Sequence, residues 1–352
     1  MKKILYVSNI EVPYRVRFFN EFSKHCDLTV LYTRKKSSSR NEKWATSENQ
    51  QFFVKYLNGI KLGGEDGFSL GIIKYIFSKK YDKVILGCYN SPTQMVAILL
   101  MRLFRKPYML NIDGEVFING NTLKTKLKRF FLKGAQKYLS AGEKSGERLR
   151  PVVGDKPIIP YYFSSMTDAE LKENSKSQNE PNGTVLVVSQ YLDVKGLDVV
   201  VAAAKKDCNI KYKLVGMGHK TAEFVEKYDV KSIENIEVIP FLQKQDLEKE
   251  YKKCSLFVLA SRQECWGLVI NEAASFGVPI VSTFGSGAAV EFLGDEYSRY
   301  LALAGDADDL YKKIKSAFND ENLNEYSQYL IEKSASYSIE KGVEAHCKAC
   351  EI

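Results

Sequence analysis

Residues 261–283 read SRQECWGLVINEAASFGVPIVST, and the stretch is best understood together with SLFVLA at 255–260, just before it. SLFVLA is a short, continuously apolar run, the mark of a parallel strand buried on both faces. A loop holding Glu264, Cys265 and Trp266 comes next, Gly267 permits close backbone approach, and a helical pattern continues through Glu272 and Ala274. Gly277-Val278-Pro279 then turns the chain into another buried run at 279–282. Strand, loop, helix and parallel strand make one βαβ unit, and its repetition defines an α/β fold.

The same alternation extends in both directions. Strands are expected at 184–189, 212–215, 237–240 and 300–303 around this unit, and at 3–8, 28–32, 52–57, 83–88, 108–112 and 138–141 in the first half. The expected fold is therefore two Rossmann-like, doubly wound parallel-sheet domains facing across a cleft. We expect an N-terminal domain at 1–163, a linker at 164–183 and a C-terminal domain at 184–335. A last helix at 336–352 has the N-terminal domain as its candidate packing surface. The linker reads SSMTDAELKENSKSQNEPNG, polar throughout and ending in Pro-Asn-Gly, and 37–51 reads as a polar loop. Open α/β sheets bind ligands at the carboxyl ends of their strands, so the site is expected between the halves.

Composition excludes several classes. The 352 residues hold 51 Lys or Arg against 43 Asp or Glu, a net charge of +8, with 45% hydrophobic residues, which is neither disordered nor collagen-like. The longest apolar stretch, 95–101, is far short of the roughly 20 residues of a bilayer-spanning helix. MKKILYVSNIEVPYR reaches Glu11 quickly and shows no small-residue cleavage site, so it reads as a first strand. Seven scattered cysteines without an export signal read as reduced thiols of a cytoplasmic protein. Cys347 and Cys350 beside His346 lack a fourth ligand for structural zinc, and no metal is expected.

Chemistry is suggested at three places. The N-terminus of the helix after Gly267 offers unpaired N–H groups to an anion, with Glu264 and Glu272 on either side. Eight helical residues span at most about 12 Å, the reach of a sugar nucleotide from hexose to ribose, and a carboxylate can accept two hydrogen bonds from a diol. The plain alternative is charge complementarity at a helix end. Lys195-Gly196, after the run VVSQYLDVKGLD at 187–198, could turn an ammonium and backbone amides toward a pyrophosphate. Gly216 and Gly218 clear space on the same sheet edge. Asp113-Gly114-Glu115 follows the buried run PYMLNI, placing a carboxylate at the cleft edge of the sheet; as an alternative Asp113-Gly114 is a turn. Asp306 reads as a helix N-cap, not as half of a metal-binding aspartate pair.

These motifs, Lys-Gly, Gly-x-Gly, and two glutamates eight apart before Gly-Val-Pro, resemble in order and spacing the retaining family 4 glycosyltransferases of the GT-B fold. The resemblance covers residues 184–317 closely and the N-terminal half more loosely. It implies that Lys195 binds the donor diphosphate, that Glu264 contacts the transferred sugar, that amides around Trp266, Gly267 and Leu268 hold sugar and phosphate, and that Glu272 takes the ribose hydroxyls. Residues 241–245 would meet the nucleobase, and Asp113 would lie near the reacting carbon. Gln190 stands where the family often has a phosphate-binding Arg, and Cys265-Trp266 replaces Gly-Phe. The stretch from Asn9 through Tyr14 to Arg15 lacks the family's glycine pair and is expected to form an acceptor-side loop.

Residues 121–142 hold six basic residues, Lys124, Lys126, Lys128, Arg129, Lys133 and Lys137, and no acidic one. With Leu123, Leu127, Phe130, Phe131 and Tyr138 near helical period, this is either a surface for an anionic leaflet or lipid pyrophosphate, or a core-packed helix with a solvated basic face. Lys124, Lys128, Arg129 and Arg15 are the candidate acceptor or membrane contacts. The expected activity is metal-independent, retaining transfer of a hexose from a UDP- or GDP-sugar to a lipid-linked oligosaccharide or polysaccharide hydroxyl, as in capsule or lipopolysaccharide synthesis, in the cytoplasm or peripherally on the inner membrane face. The rivals are a non-catalytic nucleotide-sugar or membrane-surface binding protein and a same-fold UDP-sugar epimerase. A nicotinamide dehydrogenase is disfavoured, since no Gly-x-Gly-x-x-Gly follows the first strand. Nucleic acid is not expected as a partner, because no recognition module accompanies the charge.

Overall fold

A computed structural model describes residues 1–34, 49–62, 67–114, 120, 122–177, 179–294 and 296–352. Glu115, Asn121 and most of the polar loop at 37–51 lie outside the described residues. The chain divides into two compact units, Met1–Ser165 with Ser338–Ile352, and Met166–Tyr337.

In the first unit the strands are β1 (Lys3–Ser8), β2 (Asp27–Tyr32), β3 (Phe53–Tyr56), β4 (Ile60–Lys61), β5 (Gly67–Phe68), β6 (Lys83–Leu86), β7 (Met109–Ile112), β8 (Lys137–Ser140) and β9 (Ile158–Pro160). Seven of them form a parallel sheet in the order β3-β2-β1-β6-β7-β8-β9, and β4 pairs antiparallel with β5. The order reverses between β1 and β6. Val7, Leu86 and Leu110 from the sheet pack with Ile98, Met101, Phe131 and Leu132 from the helices in one core, each large side chain contributing roughly 1.5–3 kcal/mol on full burial.

The second unit adds β10 (Thr184–Val188), β11 (Lys211–Val215), β12 (Ile236–Ile239), β13 (Leu256–Leu259), β14 (Ile280–Thr283) and β15 (Leu301–Ala302). They are all parallel, in the order β12-β11-β10-β13-β14-β15. Here the reversal falls between β10 and β13.

The tract expected as a linker, 164–183, departs from that expectation, for it contains the helix Asp168–Asn174. Thr167 Oγ1 accepts from the Glu170 amide and Glu170 Oε2 accepts from the Thr167 amide, a reciprocal cap that a polar sequence can supply without an apolar face. Leu171 is buried, Asn174 Nδ2 donates to Ser275 Oγ at 2.9 Å and Asn179 Nδ2 to the Phe276 carbonyl at 2.6 Å. From Met166 onward the tract belongs to the second unit.

The C-terminal helix Ile339–Cys350 starts at Ser338, whose Oγ accepts from the Lys341 amide. It lies in the first unit, against the helix Pro13–Ser23. Gly342 makes the approach feasible, because a Cβ there would sit 3.1 Å from the Tyr161 carbonyl oxygen.

Candidate active site

In a doubly wound sheet the loops leaving two strands on either side of the reversal splay apart and leave a crevice. In the second unit those are the loops after β10 and β13. The first passes through a short turn, Asp193–Lys195, to Gly196, which adopts φ +68° before the helix Leu197–Ala204. A Cβ on Gly196 would lie 2.1 Å from the Ala260 carbonyl oxygen, so the two loops touch backbone to backbone. Arg262 fastens them further: its guanidinium grips the Asp198 carboxylate through both nitrogens, at 2.8 and 2.5 Å, and donates to the Asp193 carbonyl at 2.8 Å. The guanidinium hydrogen bond holds the Asp198 pKa below the usual carboxylate range.

After β13 the chain runs through Glu264 to Gly267, at φ +103°, and into the helix Leu268–Ser275. The Glu264 amide donates to the Gly285 carbonyl and its own carbonyl accepts from the Gly287 amide, which pins this loop to the one after β14. Gly285 is needed for that seam, since a Cβ would fall 2.5 Å from the carbonyl oxygens of Ser261 and Arg262. Lys195 and Glu264, expected to serve separate parts of a donor, form an ion pair with each other at the β10/β13 reversal, both largely but not fully buried.

Glu272, one turn into the helix, accepts a hydrogen bond from Tyr251 Oη at 3.1 Å. Burial, and next the neighbouring Glu272 carboxylate, push the Tyr251 pKa well above its ordinary value, so it stays a donor. Gly216 (φ +108°) and Gly218 (φ +58°) follow β11 and donate their amides to the carbonyls of Ile239 and Pro240. Residues 241–245 leave β12 on the same edge of the sheet, half-buried to exposed. Gln190 is exposed. Leu268 opens the helix and is half-buried.

The backbone around Trp266 was the expected donor contact, and its ring has a separate place in the fold. The indole is 2% exposed, donates Nε1–H to Asn271 Oδ1 at 2.9 Å and stacks on Tyr337, and its carbonyl accepts from Ala288 and Ser286. It anchors the loop from beneath.

The first unit contains a second polar cluster. Asp113, at the end of β7, forms an ion pair with Arg15, accepts from Tyr161 Oη at 2.6 Å and from Asn111 Nδ2. Arg15 is 5% exposed, against 34% for the Asp113 side chain. Burial works against the Arg15 charge, but Asp113 and the surrounding tyrosines outweigh it and raise its pKa. Arg15 is thus a buried partner of Asp113 and not an acceptor-side surface contact. The expected loop from Asn9 to Arg15 is also shorter, because Pro13 starts a helix that takes in Tyr14 and Arg15. Tyr14 packs edge-on to Phe163, and Asn9 Oδ1 accepts from Gln94 Nε2 at 2.9 Å.

His346 extends this cluster. Its Nδ1 faces the Gly342 carbonyl at 2.7 Å and its Nε2 faces Asn111 Oδ1 at 2.9 Å. Full burial lowers its pKa to about 3, so the ring is neutral and can donate to one of those two oxygens only. Both nitrogens are thereby taken up inside the unit. Among the described residues no group of three or more His, Cys, Asp or Glu could hold a metal ion. Asp306 Oδ1 accepts from the amides of Asp308 and Asp309 and caps the helix Ala307–Phe318.

Arg262, Gly285 and Asn271 escaped the sequence reading, and His346 entered it only as a zinc-ligand candidate. Arg262, Gly285 and His346 act through contacts distant in sequence, Asn271 through Trp266 five residues away, and only Arg262, a cation in the loop just before Glu264, offered a local signal.

Comparison with known proteins bears on the second unit most directly. Residues 168–336 match the family described as Glycosyl transferases group 1. An uncharacterized glycosyltransferase of Methanocaldococcus jannaschii is 27% identical over 256 residues, covering 71% of this chain and 69% of that protein. N-acetyl-alpha-D-glucosaminyl L-malate synthase of Bacillus anthracis is 31% identical over 190 residues, covering 50% and 48%. Among solved structures, Anabaena HepE in complex with UDP and glucose superposes with a TM-score of 0.67 at 16% identity, over 100% of both chains. The match to the group 1 glycosyl transferase family thus falls within the second unit, and the chain's two parallel-sheet units have the GT-B fold.

Proposed function

We propose that this glycosyltransferase moves a hexose from a UDP- or GDP-sugar to a hydroxyl of a lipid-linked oligosaccharide or polysaccharide, with retention at the anomeric carbon and without a metal ion. The observation that carries the reading is the meeting of Lys195 and Glu264 at the strand-order reversal, beside a glycine-entered helix N-terminus. Donor entry would exchange that ion pair for two new contacts. Lys195 takes the diphosphate, Glu264 accepts from hexose hydroxyls, and Glu272, oriented by Tyr251, accepts from the ribose.

The helix dipole and the Lys195 ammonium would then stabilise charge on the leaving diphosphate, the electrostatic work a cation performs in other transferases. The acceptor hydroxyl attacks from the face the diphosphate leaves, a departing phosphate oxygen takes its proton, and the C1–O bond to the diphosphate breaks as the new glycosidic bond forms. Asp113, paired with Arg15, is proposed to stabilise the oxocarbenium charge. Relatives named for glycosyl transfer, and the UDP and glucose bound by HepE, support a nucleotide-sugar donor.

The test is a panel of UDP- and GDP-hexoses, with released nucleoside diphosphate measured in the presence and absence of a bacterial lipid extract. Release that rises with extract supports transfer. Donor consumed with the nucleotide still attached to an altered sugar points to an epimerase, and binding without turnover to a non-catalytic sugar-nucleotide protein. No heat by calorimetry with any donor overturns the assignment of the site.

A further inference from the structure

Two neighbouring helices of the first unit turn apolar side chains outward. Pro92–Leu103 buries Ala97, Ile98 and Met101, yet Leu99 and Leu103 point to solvent and Phe104, the next residue, is exposed too. Leu123–Leu132 buries Phe131 and Leu132 but exposes Leu123, Leu127 and Phe130. Exposure reaches 83% at Leu123, 73% at Leu103 and 63% at Phe104. Single exposed leucines are ordinary; six large apolar side chains on adjoining helices are not. The helices adjoin at Arg102, which donates to the Phe130 carbonyl at 2.8 Å and whose guanidinium lies 4.3 Å from the centre of the Phe130 ring.

The charge carried by these two segments has one sign. Arg102, Arg105, Lys106, Lys124, Lys126, Lys128, Arg129 and Lys133 belong to these two segments, and neither 99–112 nor 122–136 contains an Asp or Glu. Those eight cations equal the net charge of the whole chain, so the rest of the molecule is balanced. Apolar side chains ringed by Lys and Arg match the layering of an anionic bilayer, acyl boundary inside and phosphate outside. A second copy of the chain fits poorly, because a two-fold contact through this face would set eight cations against eight. Nucleic acid would use the cations but leave the apolar ridge in water.

We propose that the Leu99–Phe104 and Leu123–Phe130 ridge is a docking surface for an anionic phospholipid bilayer. Docking needs neither donor nor turnover, so it stands or falls separately from the transfer reaction. If both hold, the acceptor reaches this enzyme at a lipid surface.

The test is co-sedimentation with vesicles of phosphatidylcholine alone or with 30 mol% phosphatidylglycerol, at about 0.1 M and 0.5 M KCl, spanning Debye lengths of roughly 10 to 4 Å. The wild-type chain should bind the anionic vesicles and leave the neutral ones. Changing Lys124 and Lys126 to Gln together should weaken low-salt binding by about 25-fold, at about fivefold for each cation. Leu103→Ser with Phe104→Ser and Leu123→Ser should weaken it at both salts. Lys249→Gln, an exposed lysine of the other unit, should change nothing. All these side chains are exposed, and thermal melts verify folding.

Three results overturn the proposal: equal binding to both vesicle types, serine variants that bind like wild type, or a dimer in solution that the serine variants dissociate. Nucleotide release without vesicle binding refutes the docking surface alone, and vesicle binding without nucleotide release refutes the transfer reaction alone.

Discussion

Gly196 offers the sharpest test of the loop arrangement at the β10/β13 reversal. Alanine there meets two separate obstacles. Its φ of +68° costs a non-glycine residue about 1–2 kcal/mol. Its Cβ would also lie 2.1 Å from the Ala260 carbonyl oxygen, which is backbone and cannot swing aside. Restoring ordinary contact requires the two loops to part by roughly 1 Å, the scale at which misplacement costs about a hundredfold in rate. Lys195 immediately precedes the glycine, and Glu264 lies four residues past Ala260, so the displacement acts on this ion pair. Gly183→Ala is the matched control, with φ +77° and nothing within 4 Å of its Cβ. Both variants should melt lower, by about 2–4 °C per kcal/mol for a unit of this size, with Gly196→Ala the lower. Initial rates of nucleoside diphosphate release, per mole of folded protein, should fall about a hundredfold in Gly196→Ala and stay near wild type in Gly183→Ala. Equal rates in the two variants would refute the claim that this contact positions the site.

Lys195→Met should weaken UDP or GDP binding by about 10–100-fold in calorimetry, the worth of a charged hydrogen bond. Glu264→Gln should leave that binding unchanged or tighter, because the carboxylate is proposed to face the sugar and its loss frees the lysine; equal losses in both would contradict the division of roles. Asp113→Ala strands the buried Arg15, and because the carboxylate is partly solvated the loss should be at the low end for a broken buried pair, about 3 kcal/mol by urea denaturation. Adding Arg15→Met should recover most of that stability but not the turnover, which Asp113→Ala lowers more than tenfold; recovered turnover would make Asp113 purely structural. His346 is neutral in the folded chain down to about pH 3, whereas the unfolded chain binds a proton below pH 6.5. Stability attributable to it is therefore full above pH 6.5 and falls as pH drops, by about 2 kcal/mol at pH 5. The difference between wild type and His346→Gln, measured by urea titration from pH 7 to 5, should show that slope; parallel curves would place the ring in water.

Most of both sheets was legible because parallel strands covered on two faces are continuously apolar, although β9 was missed and the equally apolar run at 199–204 is a buried helix. The glycine and charge motifs were legible because their roles are set within a few residues: Gly267 before its helix, Asp306 at its cap. What depends on tertiary contact was not. The basic helix carries Leu123, Leu127, Phe130 and Phe131 near one period, and only the position of the sheet decides that Phe131 goes inward while the other three face out. The capped helix at Asp168–Asn174 hid inside a polar tract because its stability comes from reciprocal capping and one buried leucine. Arg15 read as a surface cation, and it is the distant Asp113 that makes its burial tolerable.

The two units also show why the same topology gives different chemistry. Each reverses its strand order once, and each brings polar side chains together from the two strands that flank the reversal. In the first unit these are neutral: Asn9 after β1 accepts from Cys88 Sγ after β6, at 3.4 Å, and from Gln94. Burial pushes the Cys88 thiol up to about 11, so it stays protonated. In the second unit they are a lysine and a glutamate, followed by a helix N-terminus. A diphosphate carries charge that an amide and a thiol cannot balance, whereas an ammonium and a row of free amide N–H groups can. Under the proposed function, the side chains planted at the reversal, not the fold they share, would draw the anionic half of a sugar nucleotide to the second unit.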